Sequence, residues 1–127
     1  MTIVFESPLW ELEELGDYCV LRRTDVRSDD LAALREQNRS VMESFDAKHR
    51  GWGLIVDMRR APARNDPGFE DAMKPLRAEV QRRFARVAVL LSSAVGVLQV
   101  ERLRTTEHAD SLTTRDEAEA VAFARGN

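Results

Sequence analysis

The chain carries one thiol, Cys19, and two imidazoles, His49 and His108. A thiolate nucleophile needs an electropositive setting and a base. Cys19 has no histidine near it in sequence and lies in an alternating apolar stretch, so it reads as a buried strand thiol. Zinc held by four cysteines, or by two cysteines and two histidines, is excluded by count. His108 stands beside Glu107 and Asp110 without an evident third and fourth ligand, so no metal is expected there. His49 falls with Lys48 and Arg50 at a predicted helix end, where cations meet the negative pole of the helix. That role is preferred to a ligand role. Glu11, Glu13 and Glu14 crowd one strand. They read as solvated charges that discourage pairing at a sheet edge rather than as paired catalytic acids. Neither G-x-G-x-x-G nor G-x-x-x-x-G-K-[ST] occurs. No nucleophile and base can be placed together from sequence, so neither an enzyme nor a cofactor is expected.

The remaining chemistry is charge. The net charge is −3, but it is unevenly spread. Residues 1–58 hold 7 basic and 12 acidic groups, residues 59–104 hold 10 and 5, and residues 105–127 hold 2 and 5. The middle segment is an arginine island that includes Arg59, Arg60, Arg64, Arg77, Arg82, Arg83, Arg86, Arg102 and Arg104. A mixed-charge solvated face is the ordinary reading of such a segment. An acidic protein surface or a phosphate is the functional one. Nucleic acid is disfavoured by the acidic balance and by the lack of aromatics among the arginines. Arginine far exceeds lysine, a bias that suits a bacterial genome rich in G and C.

Positioning these groups requires a core. One domain over residues 1–127 is expected from the length, with roughly two-thirds of the extended surface buried on folding. Hydrophobic residues at 43% and charged residues at 32% argue against disorder. No apolar run approaches the roughly 18 residues of a membrane span. The first residues lack a signal peptide's charged start and apolar stretch, so a cytoplasmic protein is expected.

Pro8–Leu15 and Tyr18–Arg22 alternate in character around Gly16-Asp17, which predicts an antiparallel hairpin. A further edge strand over residues 2–6 is an option. A helix is predicted over 28–49, capped by Ser28, with Leu31, Leu34, Val41, Met42 and Phe45 on one stripe and Gly51 closing its end. Trp52–Met58 and Val87–Leu91 have the continuous apolar character of inner parallel strands. Between them, Asp66 caps and Pro67 opens a second helix with Phe69, Met73, Leu76, Val80 and Phe84 on its stripe. Pro75 inside that helix predicts a kink. Ser92 or Ser93 caps a third helix over about 93–106. Leu112-Thr113 is a short last strand, and Thr114-Arg115-Asp116-Glu117 reads as the capping box of a final helix ended by Gly126. Alternating strands and helices imply a mixed, largely parallel sheet of four to six strands with an N-terminal antiparallel hairpin and four helices.

This order, together with two short stretches, resembles the STAS domain of bacterial anti-sigma-factor antagonists and the wider group with the SpoIIAA-like fold. In that family a strand ending in aspartate leads through a loop to Asp-Ser-Ser-Gly-Leu at a helix start. Here Leu54-Ile55-Val56-Asp57 is followed by Asn65-Asp66-Pro67-Gly68-Phe69. The segment Asp116–Phe123 resembles the last helix of the group. Asp66 and Pro67 occupy both serine positions, so the resemblance implies a regulatory module without the phosphoserine switch. It also implies a regulatory protein as partner.

Two surfaces follow. Arg59, Arg60, Arg64, Asn65, Asp66, Ser92 and Ser93 belong to the edge where strands end and helices begin, which favours ligands in open α/β sheets. They form a candidate rim for a partner protein or, alternatively, for a nucleotide, phosphate or lipid head group. Capped helices with exposed arginines explain the same residues without function. On the third helix, Val95, Leu98 and Arg102 form one stripe and Val97, Val100 and Arg104 a neighbouring one. The second stripe is the candidate surface for self-association into a homo-oligomer.

Overall fold

A computed structural model describes residues 1–62, 66–102 and 110–126. Six strands form one sheet in the order of their sequence: β1 (Thr2–Glu6), β2 (Trp10–Glu14), β3 (Tyr18–Arg23), β4 (Gly53–Asp57), β5 (Arg86–Leu90) and β6 (Asp110–Thr114). The first three are antiparallel, and β3 to β6 run parallel. Four helices complete the chain: α1 (Leu31–Glu43), α2 (Pro67–Arg83), α3 (Ala94–Arg102) and α4 (Glu117–Ala124).

Register builds two apolar faces. Cys19, Leu54 and Val87 are cross-strand partners in one row, and Val20, Ile55, Ala88 and Leu112 form the next. Because side chains alternate along a strand, adjacent rows point to opposite faces. The first row packs with Leu34 and Val41 of α1 and Leu76 and Val80 of α2. The second packs with Ala120 and Ala124 of α4. Small alanines let α4 approach closely. An added Cβ on Gly53 would lie 1.9 Å from the Ala124 carbonyl oxygen.

The hairpin, the inner strands β4 and β5, and the Asp66-Pro67 start of α2 match expectation. The 2–6 segment is a strand, so β1 rather than β2 is the sheet edge. Other expectations need correction. The cap of α1 is Asp30, not Ser28, because its carboxylate accepts the N–H groups of Ala32 and Ala33. That helix stops at Glu43, not near residue 49, because the Ser44 N–H and hydroxyl both turn back on the Val41 carbonyl. A short 3-10 turn follows at Ala47–His49, capped by Asp46. Gly51, at φ +88°, ends this turn rather than the long helix. At α4 the cap is Asp116, two residues beyond the expected Thr114. Its carboxylate accepts from Ala118 and Glu119, while the Thr114 hydroxyl accepts the Asp116 N–H.

Candidate functional site

The carboxyl ends of β4 and β5 bring the Asp57–Arg59 segment and the start of α3 together. Asp57 is buried, on the face that α4 covers. Its carboxylate accepts from Arg59 Nε at 3.0 Å, Arg59 Nη2 at 2.8 Å and the Arg59 backbone N–H at 3.1 Å. Arg59 Nη2 also reaches Glu117 at 3.0 Å. Burial works to raise the Asp57 carboxyl, but these bonds hold it below its ordinary value. Arg59 is raised in turn by its bond to Asp57. Arg59 is exposed as expected, and it is also a tie between β4 and α4, its charge shared between two carboxylates.

The other rim residues separate. Arg60 is exposed and lies 3.6 Å from Asp25. Asp66 caps α2 through the Phe69 N–H at 3.1 Å. The Ser93 hydroxyl accepts the Gly96 N–H at 3.0 Å and starts α3, with Ser92 exposed beside it. Arg64, Asn65 and Arg104 lie outside the described residues. Arg59 and Ser92 share the wall of an open groove of about 690 Å³ whose apolar side comes from Leu91, Val97 and Leu98 of the α3 segment.

On α3 the exposed stripe is Val95 and Leu98, at 65% and 63% exposure. Val97 and Val100, the stripe chosen from sequence, are half-buried. Val100 closes an apolar cavity with Val56, Met58, Met73 and Val87, so its side of the helix rests on the sheet and the opposite side faces outward. Both stripes are apolar, and periodicity alone does not choose between them.

Sequence reasoning missed three buried polar groups. His49 is fully buried rather than a surface helix-end cation. Its Nδ1 accepts the Asp46 N–H at 3.1 Å, which places the ring proton on Nε2, 2.6 Å from Glu14. The His49 bond, against burial and with help from Lys48, holds the Glu14 carboxyl below its ordinary value. Glu14 is thus not the solvated edge charge expected of it. Glu11 and Glu13 pair with Arg22, at 2.9 and 2.8 Å. With both ring nitrogens engaged, His49 cannot serve Cys19, whose thiol burial pushes up to about 12. Asn38 accepts from Trp10 Nε1 at 2.8 Å and donates to the Ala72 carbonyl. Arg23 is buried opposite Trp10 on β2. The available signal was parity: Arg23 shares its face with Leu21 and Cys19, an inward position. Among the described residues no group of three His, Cys, Asp or Glu side chains is placed to hold a metal. No described helix is long and apolar enough to cross a membrane.

This architecture has a counterpart among solved structures. The crystal structure of an uncharacterized protein of the DUF3478 family from Shewanella loihica PV-4, described as having a SpoIIAA-like fold, superposes with a TM-score of 0.60. The match covers 94% of this chain and 98% of that one at 14% identity. The fold is SpoIIAA-like. At that identity the likeness concerns the SpoIIAA-like architecture and not an activity. No protein-family model matches the chain, and no curated protein matches it at a significant level.

Proposed function

We propose that this chain is a non-enzymatic bacterial regulatory module of the cytoplasm that docks a partner protein. The SpoIIAA-like fold and the resemblance to anti-sigma-factor antagonists support that class. With Asp66 and Pro67 at the helix start, the module works without a serine switch. The observation that carries the reading is the pair Val95 and Leu98, large apolar side chains left mostly in water beside the Arg59–Ser92 groove. An apolar patch rimmed by polar groups is the form a docking surface takes. The alternative, a nucleotide, phosphate or lipid head group on the Arg59 rim, has weaker support, because Arg59 already faces Asp57 and Glu117.

The test is the double variant Val95→Asp with Leu98→Asp. Exposed positions tolerate such changes within about 0.5 kcal/mol each. Affinity capture from a cell extract should retain a defined protein on the wild type and lose it on the variant, at unchanged melting temperature. Equal capture by both would remove α3 as the docking element. The same variant settles self-association through this helix, by ultracentrifugation of the two proteins at high concentration.

A further inference from the structure

Arg23 is out of place. At 6% exposure it is among the most buried charged residues of the molecule. Its Nη1 donates to the carbonyls of Thr24 at 2.7 Å and Val26 at 2.8 Å. Its guanidinium lies 5.9 Å from the centre of the Trp10 ring. None of these partners carries negative charge. Burial pushes its pKa down, and no carboxylate works in the other direction. Buried charges are ordinarily paired.

The space beside it is a cavity of about 430 Å³ between the β3–α1 loop, the body of α2 and the first turns of α3. The wall holds two further arginines, each with its own acid. Arg27 stands 3.8 Å from Asp29, and Arg77 stands 3.9 Å from Glu70. The Glu70 Oε2 atom is sealed from solvent without a hydrogen bond, so it answers Arg77 and is closed to a ligand. Among the described residues, Arg23 is therefore the one positive charge of this wall with no acidic neighbour. Its Nη1 is occupied, and among the described residues its Nε and Nη2 have no hydrogen-bond partner. Neither of those two nitrogens is sealed, so both border open space. The Nε–Nη2 edge of a guanidinium is the fork that matches a carboxylate with two parallel bonds. Apolar side chains, among them Met58, Phe69, Met73 and Leu91, line the rest of the cavity.

We propose that this cavity binds a small monocarboxylate with an apolar body, its carboxylate on the free edge of Arg23 and its body against Met58, Phe69 and Met73. One uncompensated positive charge calls for one negative charge, which favours a carboxylate over a phosphate dianion. Val95 of the proposed docking face also lines this cavity but Leu98 does not, so Leu98→Asp alone tests partner docking apart from ligand binding.

Benzoate is a suitable probe, with benzyl alcohol as its uncharged counterpart and phenyl phosphate as the more highly charged one. Calorimetric titration should show saturable benzoate binding at least tenfold tighter than either. Arg23→Lys keeps the charge and removes the fork, and should weaken benzoate at least tenfold. Arg23 also braces two backbone carbonyls, so a second variant is needed. Gln99→Trp, on α3 at the cavity wall, fills the space while leaving Arg23 and its carbonyl partners unsubstituted. It should abolish benzoate binding while the far-ultraviolet circular dichroism melt stays intact. Arg39→Gln, on the exposed side of α1 and outside the cavity, should bind as wild type. The proposal is overturned by absent benzoate saturation, by benzyl alcohol or phenyl phosphate binding as tightly, or by unchanged affinity in folded Gln99→Trp.

Discussion

The two faces of the sheet are covered in different ways. On one, α1 and α2 bury Trp10, Leu12, Leu21, Leu34, Leu54 and Val80 in a single large cluster, and its central polar groups are answered, Trp10 by Asn38 and His49 by Glu14, whereas Arg23 at its carboxyl edge has no acid. On the other, the short helix α4 lies against the strands through Ala120 and Ala124, and its cluster is smaller. At the carboxyl edge α3 leaves Val95 and Leu98 uncovered. The first face derives its stability from volume and polar satisfaction. The second depends on closeness of approach, because alanines bring little area of their own. The unpaired features, an exposed apolar stripe and a buried arginine without an acid, both lie toward the carboxyl edge. In a structure this compact they are where recognition is to be sought.

The closeness of α4 can be broken with one methyl group. Gly53→Ala puts a carbon at 1.9 Å from the Ala124 carbonyl oxygen, a separation that backbone on backbone cannot relieve without moving the helix. The expected loss is about 3 kcal/mol, the upper end of ordinary overpacking. Chemical denaturation should show it as a lower midpoint. A loss below about 1 kcal/mol would mean that α4 sits further from β4 than described, and the contrast between the two faces would weaken.

The polar satisfaction of the other face can be broken at Asn38. Asn38→Leu keeps volume but leaves the Trp10 N–H without its acceptor and the Ala72 carbonyl without its donor. About 2 kcal/mol should be lost, the cost of a buried donor left unmade. Asn38→Asp should lose more at neutral pH, because at 1% exposure its carboxylate is buried without a cation and faces the Ala72 carbonyl as a second acceptor. Its carboxylate still accepts from indole but cannot donate to Ala72.

Much of this was legible in the sequence, for identifiable reasons. Inner parallel strands are buried on both faces, so Leu54–Val56 and Val87–Leu90 appear as unbroken apolar runs. The start of α2 is written in two adjacent residues, Asp66 and Pro67. The end of α1 was not legible, because Phe45 continues the apolar stripe beyond Glu43 while the backbone has already turned at Ser44. His49 was misread because its partner Glu14 stands 35 residues away, and local pattern carries no such pairing. At the carboxyl edge, Arg59 looked free because the sequence shows neither that Asp57 turns back upon it nor that α4 brings Glu117 beside it. The orientation of α3 was undetermined for a simpler reason: two apolar stripes compete for one sheet.

The smallest expected effect separates burial from charge on the α1–α2 face. Glu14 has its carboxyl held below its ordinary value by His49, so its contribution to stability has a definite sign. An unfolded glutamate titrates near 4.3. Above that pH the folded and unfolded carboxyls are both ionised and the full contribution is present. As pH falls through the lower folded value, the unfolded chain takes up the proton first and the contribution disappears. Glu14→Gln should therefore be less stable than wild type at pH 7, and the gap should close toward pH 3. Asp57 and Glu79, also held low, titrate alike in both proteins and cancel in the difference. Denaturant midpoints at a series of pH values would show the convergence. A gap constant across that range would mean that the His49–Glu14 contact acts through shape and hydrogen bonding alone, and that this face owes nothing to charge.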